Sequence, residues 1–199
     1  MSNPRTLLLE TLKIEEGEVH NLSYHQARCD RSREALFASK TPLDLSSLIQ
    51  APAQGLWRCR ILYHSTLYSI EYIPYHPREI ESLQIIEATL SYAHKYANRE
   101  ELNRLVSSCE ADDILLSHNG YVQETSIANI AFYDGEKWYT PSRPLLQGTM
   151  RAKLLDEGFL EEKEIKISEI MDYNNVALMN AMIGFKIIDN LKIKHERQQ

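Results

Sequence analysis

Apolar positions along this chain change their period several times, and each change marks an element. Leu7-Leu8-Leu9 begins as a buried run and then alternates through Leu12 and Ile14, which predicts a first strand. Glu15-Glu16-Gly17-Glu18 turns the chain out of it. From Tyr24 to Ser39 apolar residues and alanines recur at helical spacing, with Ser23 as the expected N-cap. A second short helix is expected around Ser46-Ser47, stopping before Pro52. Leu56–Tyr63 and Thr66–Tyr72 read as two strands of a hairpin turning at His64-Ser65, and Ser82–Glu87 as one further strand. Together these make a compact α+β unit of roughly eighty residues.

The second half has a different rhythm. Residues 99–108 read as a helix, and Asp113–Leu116 and Val122-Gln123 as strands around His118-Asn119-Gly120. An Asn-Gly pair between apolar runs is a strong hairpin signal, because both positions tolerate positive φ. Strands are predicted at 129–133, 137–139, 163–167, 176–180 and 186–188, with helices at 150–157 and near 168–172. The boundary between halves falls at 86–93, giving an N-terminal α+β domain over 1–88 and a C-terminal domain over 89–199. The tail His195-Glu-Arg-Gln-Gln is polar and expected to fray.

Composition narrows the classes. A 199-residue chain with 43% hydrophobic and 25% charged residues is an ordinary globular protein. Its net charge of -6, with no basic stripe, argues against nucleic acid as the main partner. Cys29, Cys59 and Cys109 form neither a CxxC pair nor a zinc pattern, so reduced thiols are the simple expectation. Met-Ser-Asn-Pro-Arg-Thr lacks a signal-type apolar core and no run reaches membrane-spanning length, which reads as a cytoplasmic protein without a membrane partner. The seven histidines are scattered, with no metal-ligand spacing. His64 and His76 sit in turns. His94 invites a proton-relay reading beside Lys95, but a local structural role is preferred.

Candidate chemistry gathers around two stretches. Glu124-Thr-Ser-Ile-Ala-Asn-Ile-Ala-Phe places a carboxylate just before a short apolar run, and Leu146-Gln-Gly-Thr-Met-Arg151 opens a helix behind a small-residue turn. A helix start offers backbone N–H groups and the positive end of a dipole, which suits a phosphate. An ordinary strand-turn-helix joint with a solvated Glu accounts for the same residues. Three more elements stand in order with these: His25-Gln26-Ala27-Arg28, Lys95 in Tyr92-Ala-His-Lys-Tyr-Ala-Asn-Arg99, and Asn180-Ala181-Met182-Ile183-Gly184. Taken singly, Lys95 reads as a surface lysine and Arg28 as an exposed helix residue.

In this order the five elements resemble the fold-type IV pyridoxal phosphate (PLP) enzymes, also called aminotransferase class IV. That group includes branched-chain and D-amino acid aminotransferases and 4-amino-4-deoxychorismate lyases. The resemblance spans nearly the whole chain and implies a two-domain α/β (α+β) fold, with the cofactor in the inter-domain cleft and a homodimeric assembly. It implies that Lys95 is the catalytic residue, forming a Schiff base with PLP and moving protons at the substrate α-carbon. A lysine doing so needs a pKa below the reference of about 10.4. It implies that Glu124 partners the pyridine nitrogen, keeping the ring an electron sink. Arg28 would bind the phosphate together with the helix start at Thr149 and Met150, a Thr-Met pair where the family often has Ile-Thr. Ser126 and Asn129 would support the cofactor, and Ala181 would lie in the late loop reaching phosphate and substrate.

The chain departs from the group in being short, compressed between Lys95 and Glu124, and trimmed in the substrate-side loop. Arg58, Arg60 and Arg99 remain open candidates for the substrate carboxylate. The Asn180-Ala181-Met182 form resembles the lyases, so a 4-amino-4-deoxychorismate lyase is the leading expectation. An aminotransferase on D-amino or branched-chain amino acids and a non-catalytic PLP-binding protein are the alternatives. The substrate is in either catalytic case a small amino acid or amino-chorismate.

Overall fold

The computed structural model describes residues 6–194. The polar tail at 195–199 and the first five residues, on which the cytoplasmic expectation rested, lie outside them. The chain divides into two compact units. One is built from the chain up to Pro77 together with His94–Asn98, the other from Arg78–Ala93 and the chain from Arg99 onward.

The first unit is a four-stranded antiparallel sheet with two helices. β1 (Leu8–Glu15), β2 (Glu18–Val19), α1 (Leu22–Phe37), α2 (Leu45–Leu48), β3 (Leu56–Tyr63) and β4 (Leu67–Pro74) follow in chain order, and the sheet runs β2-β1-β3-β4. The turn from β1 to β2 places Glu16 and Gly17 at positive φ, as its Glu-Gly sequence suggests. Alternation sets the faces: Leu8, Leu12 and Ile14 of β1 meet Cys59, Ile61 and Tyr63 of β3, Cys29 of α1 and Leu45 of α2 in one core. Burial pushes the Cys29 thiol up to about 12 and the Cys59 thiol up to about 11, so both stay protonated and inert. The cap of α1 differs from expectation. Asn21, not Ser23, stands at the N-cap, because asparagine enters the left-handed conformation the turn requires at φ 54°.

The second unit holds two sheets. Its elements are β5 (Ser82–Glu87), α3 (Glu100–Ser107), β6 (Asp113–His118), β7 (Tyr121–Thr125), β8 (Asn129–Tyr133), β9 (Trp138–Pro141), α4 (Thr149–Asp156), β10 (Leu160–Lys163), a 3-10 turn at Ile167–Asp172, β11 (Asn175–Asn180), β12 (Gly184–Ile188) and β13 (Lys192–Lys194). One sheet runs β13-β5-β6-β7 and the other β10-β9-β8-β11-β12. Leu83, Ile85, Leu115, Ile130, Phe132, Ile165 and Leu178 from these elements and their connections form one apolar cluster. The β6–β7 hairpin turns at Asn119 and Gly120, both at positive φ, as the Asn-Gly pair predicts.

Three readings of the sequence shift here. Ser82–Glu87, grouped with the N-terminal half, pairs in parallel with Asp113–His118 and Lys192–Lys194 of the second unit. A strand expected at 163–167 lies instead at Leu160–Lys163, paired in parallel with β9. Ile165 is buried in the core from a connecting segment. The strand Lys192–Lys194 carries too little apolar pattern to be anticipated. Among the described residues no helix is long and apolar enough to cross a membrane.

Candidate functional site

In the second unit β7, β8 and the approach to α4 bring two of the expected residues, Glu124 and Asn129, into one hydrogen-bonded group with Leu146 and Gly148. Glu124, near the end of β7, is 8% exposed, and Asn129 opens β8 at 6%. A tight turn separates them: Thr125 Oγ1 accepts from Ala128 N at 3.1 Å and donates to Ala128 O at 3.0 Å. That turn folds the chain back so that Asn129 Nδ2 donates to Glu124 Oε2 at 3.1 Å. Leu146 N donates to the same carboxylate oxygen at 2.8 Å. Asn129 also donates to Leu146 O at 2.9 Å and accepts from Gly148 N at 3.1 Å. A carboxylate held by donors in this way is fixed in direction, as a partner for a ring nitrogen must be.

Gly148 is the N-cap of α4 in extended conformation, without a side-chain cap. Thr149 is buried at 4%, whereas the Met150 side chain packs against the cluster of Ala131, Leu154, Leu160 and Met179. What Met150 can offer an anion is therefore its backbone N–H. Arg151 is turned inward as an anchor, donating to Pro141 O at 2.9 Å and to Glu162 Oε1 at 2.5 Å.

Ser126 and Ala181 sit in two loops that one asparagine joins. Asn180 Oδ1 accepts from Met182 N at 2.8 Å and Ile183 N at 3.0 Å, closing the turn that carries Ala181. Its Nδ2 donates to Ile127 O at 3.1 Å, next to Ser126. Ser126 O in turn accepts from Arg99 Nη2. Beside it lies Asp113, a fully buried carboxyl that burial pushes above its ordinary range, with the Ser126 hydroxyl pulling the other way.

In the first unit Arg28 is not the exposed helix residue of the simpler reading. It is 8% exposed and forms a two-point pair with Glu10, Nε to Oε1 at 2.9 Å and Nη2 to Oε2 at 2.6 Å. His25 Nδ1 lies 2.6 Å from Glu10 Oε2. Burial alone would raise the Glu10 carboxyl; Arg28's charge and the hydrogen bonds from His25 and Arg28 outweigh it and hold the group at about 2. His25 moves down, chiefly through burial, with the Glu10 hydrogen bond opposing.

Lys95 belongs to a short segment stitched alongside the start of β1: Leu9 N donates to Lys95 O at 2.8 Å and Ala97 N to Leu7 O at 2.9 Å. This places Lys95 level with the residue before Glu10, and its charge is one of those depressing His25. His94 Nδ1 lies 3.2 Å from Ser32 Oγ, and its ring stands edge-on to Tyr96, a local structural role.

Glu10 is the residue that sequence reasoning passed over. The signal was present: Glu10 occupies the same inward register as Leu8, Leu12 and Ile14, and a carboxylate at a core-facing strand position must be paired. Of the three arginines weighed for a substrate carboxylate, Arg60 pairs with Glu71 at 2.8 Å and Arg99 holds Ser126 O. Arg58 shares the Arg60 face of β3, and its Nε is buried without a hydrogen-bond partner among the described residues.

Taken by itself, each unit offers groups that fit part of PLP: the second a buried, donor-held carboxylate suited to the ring nitrogen and a helix start behind Gly148 suited to the phosphate, the first a buried arginine and a lysine. The amino-transferase class IV model matches residues 7–191, and the chain belongs to that family of PLP-dependent lyases and aminotransferases. Its similarities point to particular members. An uncharacterised protein of Haemophilus influenzae is 38% identical over 184 residues, 89% of this chain and 98% of its own length. A solved structure from Haemophilus somnus 129pt, provisionally named 4-amino-4-deoxychorismate lyase, superposes with a TM-score of 0.83 at 33% identity, covering 92% of this chain and all of that one. A Schizosaccharomyces pombe protein provisionally named aminodeoxychorismate lyase is 40% identical over 86 residues, 39% of this chain and 37% of its own length.

Proposed function

We propose that this chain is a PLP-dependent lyase that eliminates pyruvate from 4-amino-4-deoxychorismate to give 4-aminobenzoate. The observation that carries the cofactor reading is the Glu124 carboxylate, buried and fixed by Asn129 Nδ2 and Leu146 N. The Asn180-Ala181-Met182 turn and the similarity to proteins named as lyases favour elimination over amino transfer. PLP when bound supplies an electron sink for the charge that develops at the substrate α-carbon.

The protein's own residues have separable tasks in this reading. Lys95 carries the proton to and from the α-carbon through its ε-amine. Glu124 keeps the ring nitrogen protonated. Arg28, oriented by Glu10, binds the phosphate, as does the backbone at Thr149 and Met150. Ser126 and Ala181 line the loops that Asn180 ties together. Arg58, whose buried Nε lacks a partner among the described residues, takes the substrate carboxylate. A homodimer in the cytoplasm is part of the same reading, and sedimentation equilibrium reads the assembly.

The test is a product assay on the PLP-loaded protein. Stoichiometric 4-aminobenzoate and pyruvate from 4-amino-4-deoxychorismate, without any 2-oxo acid acceptor, is the expected result. Amino transfer from D-amino or branched-chain amino acids that requires such an acceptor, with no 4-aminobenzoate, would favour the aminotransferase reading, which the family's other members support.

A further inference from the structure

Asn129 spends both hydrogens of its amide inside the protein. Nδ2 gives one to Glu124 Oε2 and one to Leu146 O, and Oδ1 accepts from Gly148 N. The amide's orientation follows from its surroundings: turned over, its oxygen would face the carboxylate and the Leu146 carbonyl, two acceptors, and its NH₂ would face a backbone N–H. No donor is left over for a cofactor.

Gly148 supplies the second observation. Its backbone, at φ -69° and ψ 149°, is one that any L-residue adopts. Yet a Cβ built there would lie 2.1 Å from Asn129 Oδ1 and 3.3 Å from Asn129 Cγ, with no other contact within 4 Å beyond its chain neighbours. Glycine at 148 is thus demanded by one side chain and not by the turn.

We propose that Asn129 is a positioning residue which couples the two ends of the cofactor site, holding the Glu124 carboxylate and the Gly148 start of α4 at a fixed spacing. The inference rests on the PLP reading and deepens it. A rigid ring with a nitrogen at one end and a phosphate at the other needs both partners set together, and a single amide bonded to both sets them. Losing it frees each partner to relax on its own.

The experiment uses PLP labelled with 15N in the ring and reads the 15N and 31P shifts of the bound cofactor, its dissociation constant, and the melting temperature of the PLP-free protein. In Asn129→Ala both shifts are expected to move and the dissociation constant to rise about tenfold, the scale of losing hydrogen bonds to a charged group. Asn129→Asp keeps an acceptor for Gly148 N but sets an anion against Glu124, so it should move 15N more than 31P. Asn129→Asp also serves where Asn129→Ala fails to fold. Gly148→Ala should lower the melting temperature in the natural background and cost much less when combined with Asn129→Ala.

Equal cost of Gly148→Ala in both backgrounds would overturn the packing relation. Wild-type PLP binding with unmoved 15N and 31P shifts in Asn129→Ala would overturn the coupling alone. Absence of PLP binding by the wild-type protein would overturn the cofactor reading and the coupling with it.

Discussion

Glu10 holds Arg28 at two points, through Nε and Nη2, inside a strand face that is otherwise apolar. The pair explains how a cation comes to sit 8% exposed in the core of the first unit. A planar guanidinium gripped at two points is held in a set direction, which is what recognition of a phosphate requires. Removing the acid takes the two-point pair from Arg28 and the 2.6 Å contact from His25. Glu10→Ala is therefore expected to cost about 3–5 kcal/mol of stability, read by urea unfolding, and to weaken PLP binding; unfolding unchanged within error would contradict the pairing.

The same pair sets a pH dependence. Glu10 falls from an ordinary 4.5 to about 2 in the fold, so its stabilisation is fully present above 4.5 and lost as pH drops toward 2. His25, depressed from 6.5, adds a loss that begins as pH falls below 6.5, where the unfolded chain takes up the proton first. The stability difference between wild type and Glu10→Gln should shrink between pH 4.5 and 2. A difference constant over that range would contradict the assignment.

Asp113 works in the opposite sense. Burial raises its carboxyl above the ordinary 3.8, so ionisation destabilises the fold as pH climbs through the raised value. Asp113→Asn should melt higher than wild type at pH 7, with the gain vanishing below pH 3.8. A lower melting temperature at pH 7 would show that the charge is satisfied by Ser126.

Phe132, fully buried in the second unit's core and tilted against Tyr173 at 5.3 Å between ring centroids, is a packing control. Phe132→Ala should cost about 3–5 kcal/mol, measured by urea unfolding, and a cost under 1 kcal/mol would mean that the core closes around the gap.

Arg58→Ala is expected to raise KM about tenfold or more while leaving the melting temperature and PLP affinity nearly unchanged, since its Nε has no partner to lose among the described residues. A fall in stability with KM unmoved would return Arg58 to a structural role.

How far the sequence discloses this molecule depends on whether the signal is local. Asn119-Gly120 declares its hairpin because the two residues alone satisfy the turn's dihedral angles. The order of Arg28, Lys95, Glu124 and the Gly148-Thr149 turn carries the family, since each is a short motif. Ser82–Glu87 pairs with 113–118 and 192–194, and strand pairing across such separations leaves no trace in the strand itself, so the sequence alone groups it with its neighbours. Leu160–Lys163 hides for the same reason: three of its four residues are exposed and charged, and only pairing with β9 makes it a strand. Glu10 lay inside an apolar alternation that drew attention to its neighbours. The spacing after Glu124 marks Asn129 as a support for the cofactor but cannot express the geometry by which its amide bonds to Glu124, Leu146 and Gly148.

The most direct measurement is borohydride reduction of the PLP-loaded protein, followed by peptide mapping and by visible spectra of wild type beside Lys95→Ala. The account predicts a visible band that borohydride abolishes, a phosphopyridoxyl label on the peptide containing Lys95, and neither band nor label in a folded Lys95→Ala variant. A label on another lysine, or a band that survives in Lys95→Ala, would contradict the assignment of Lys95 and the site built around it.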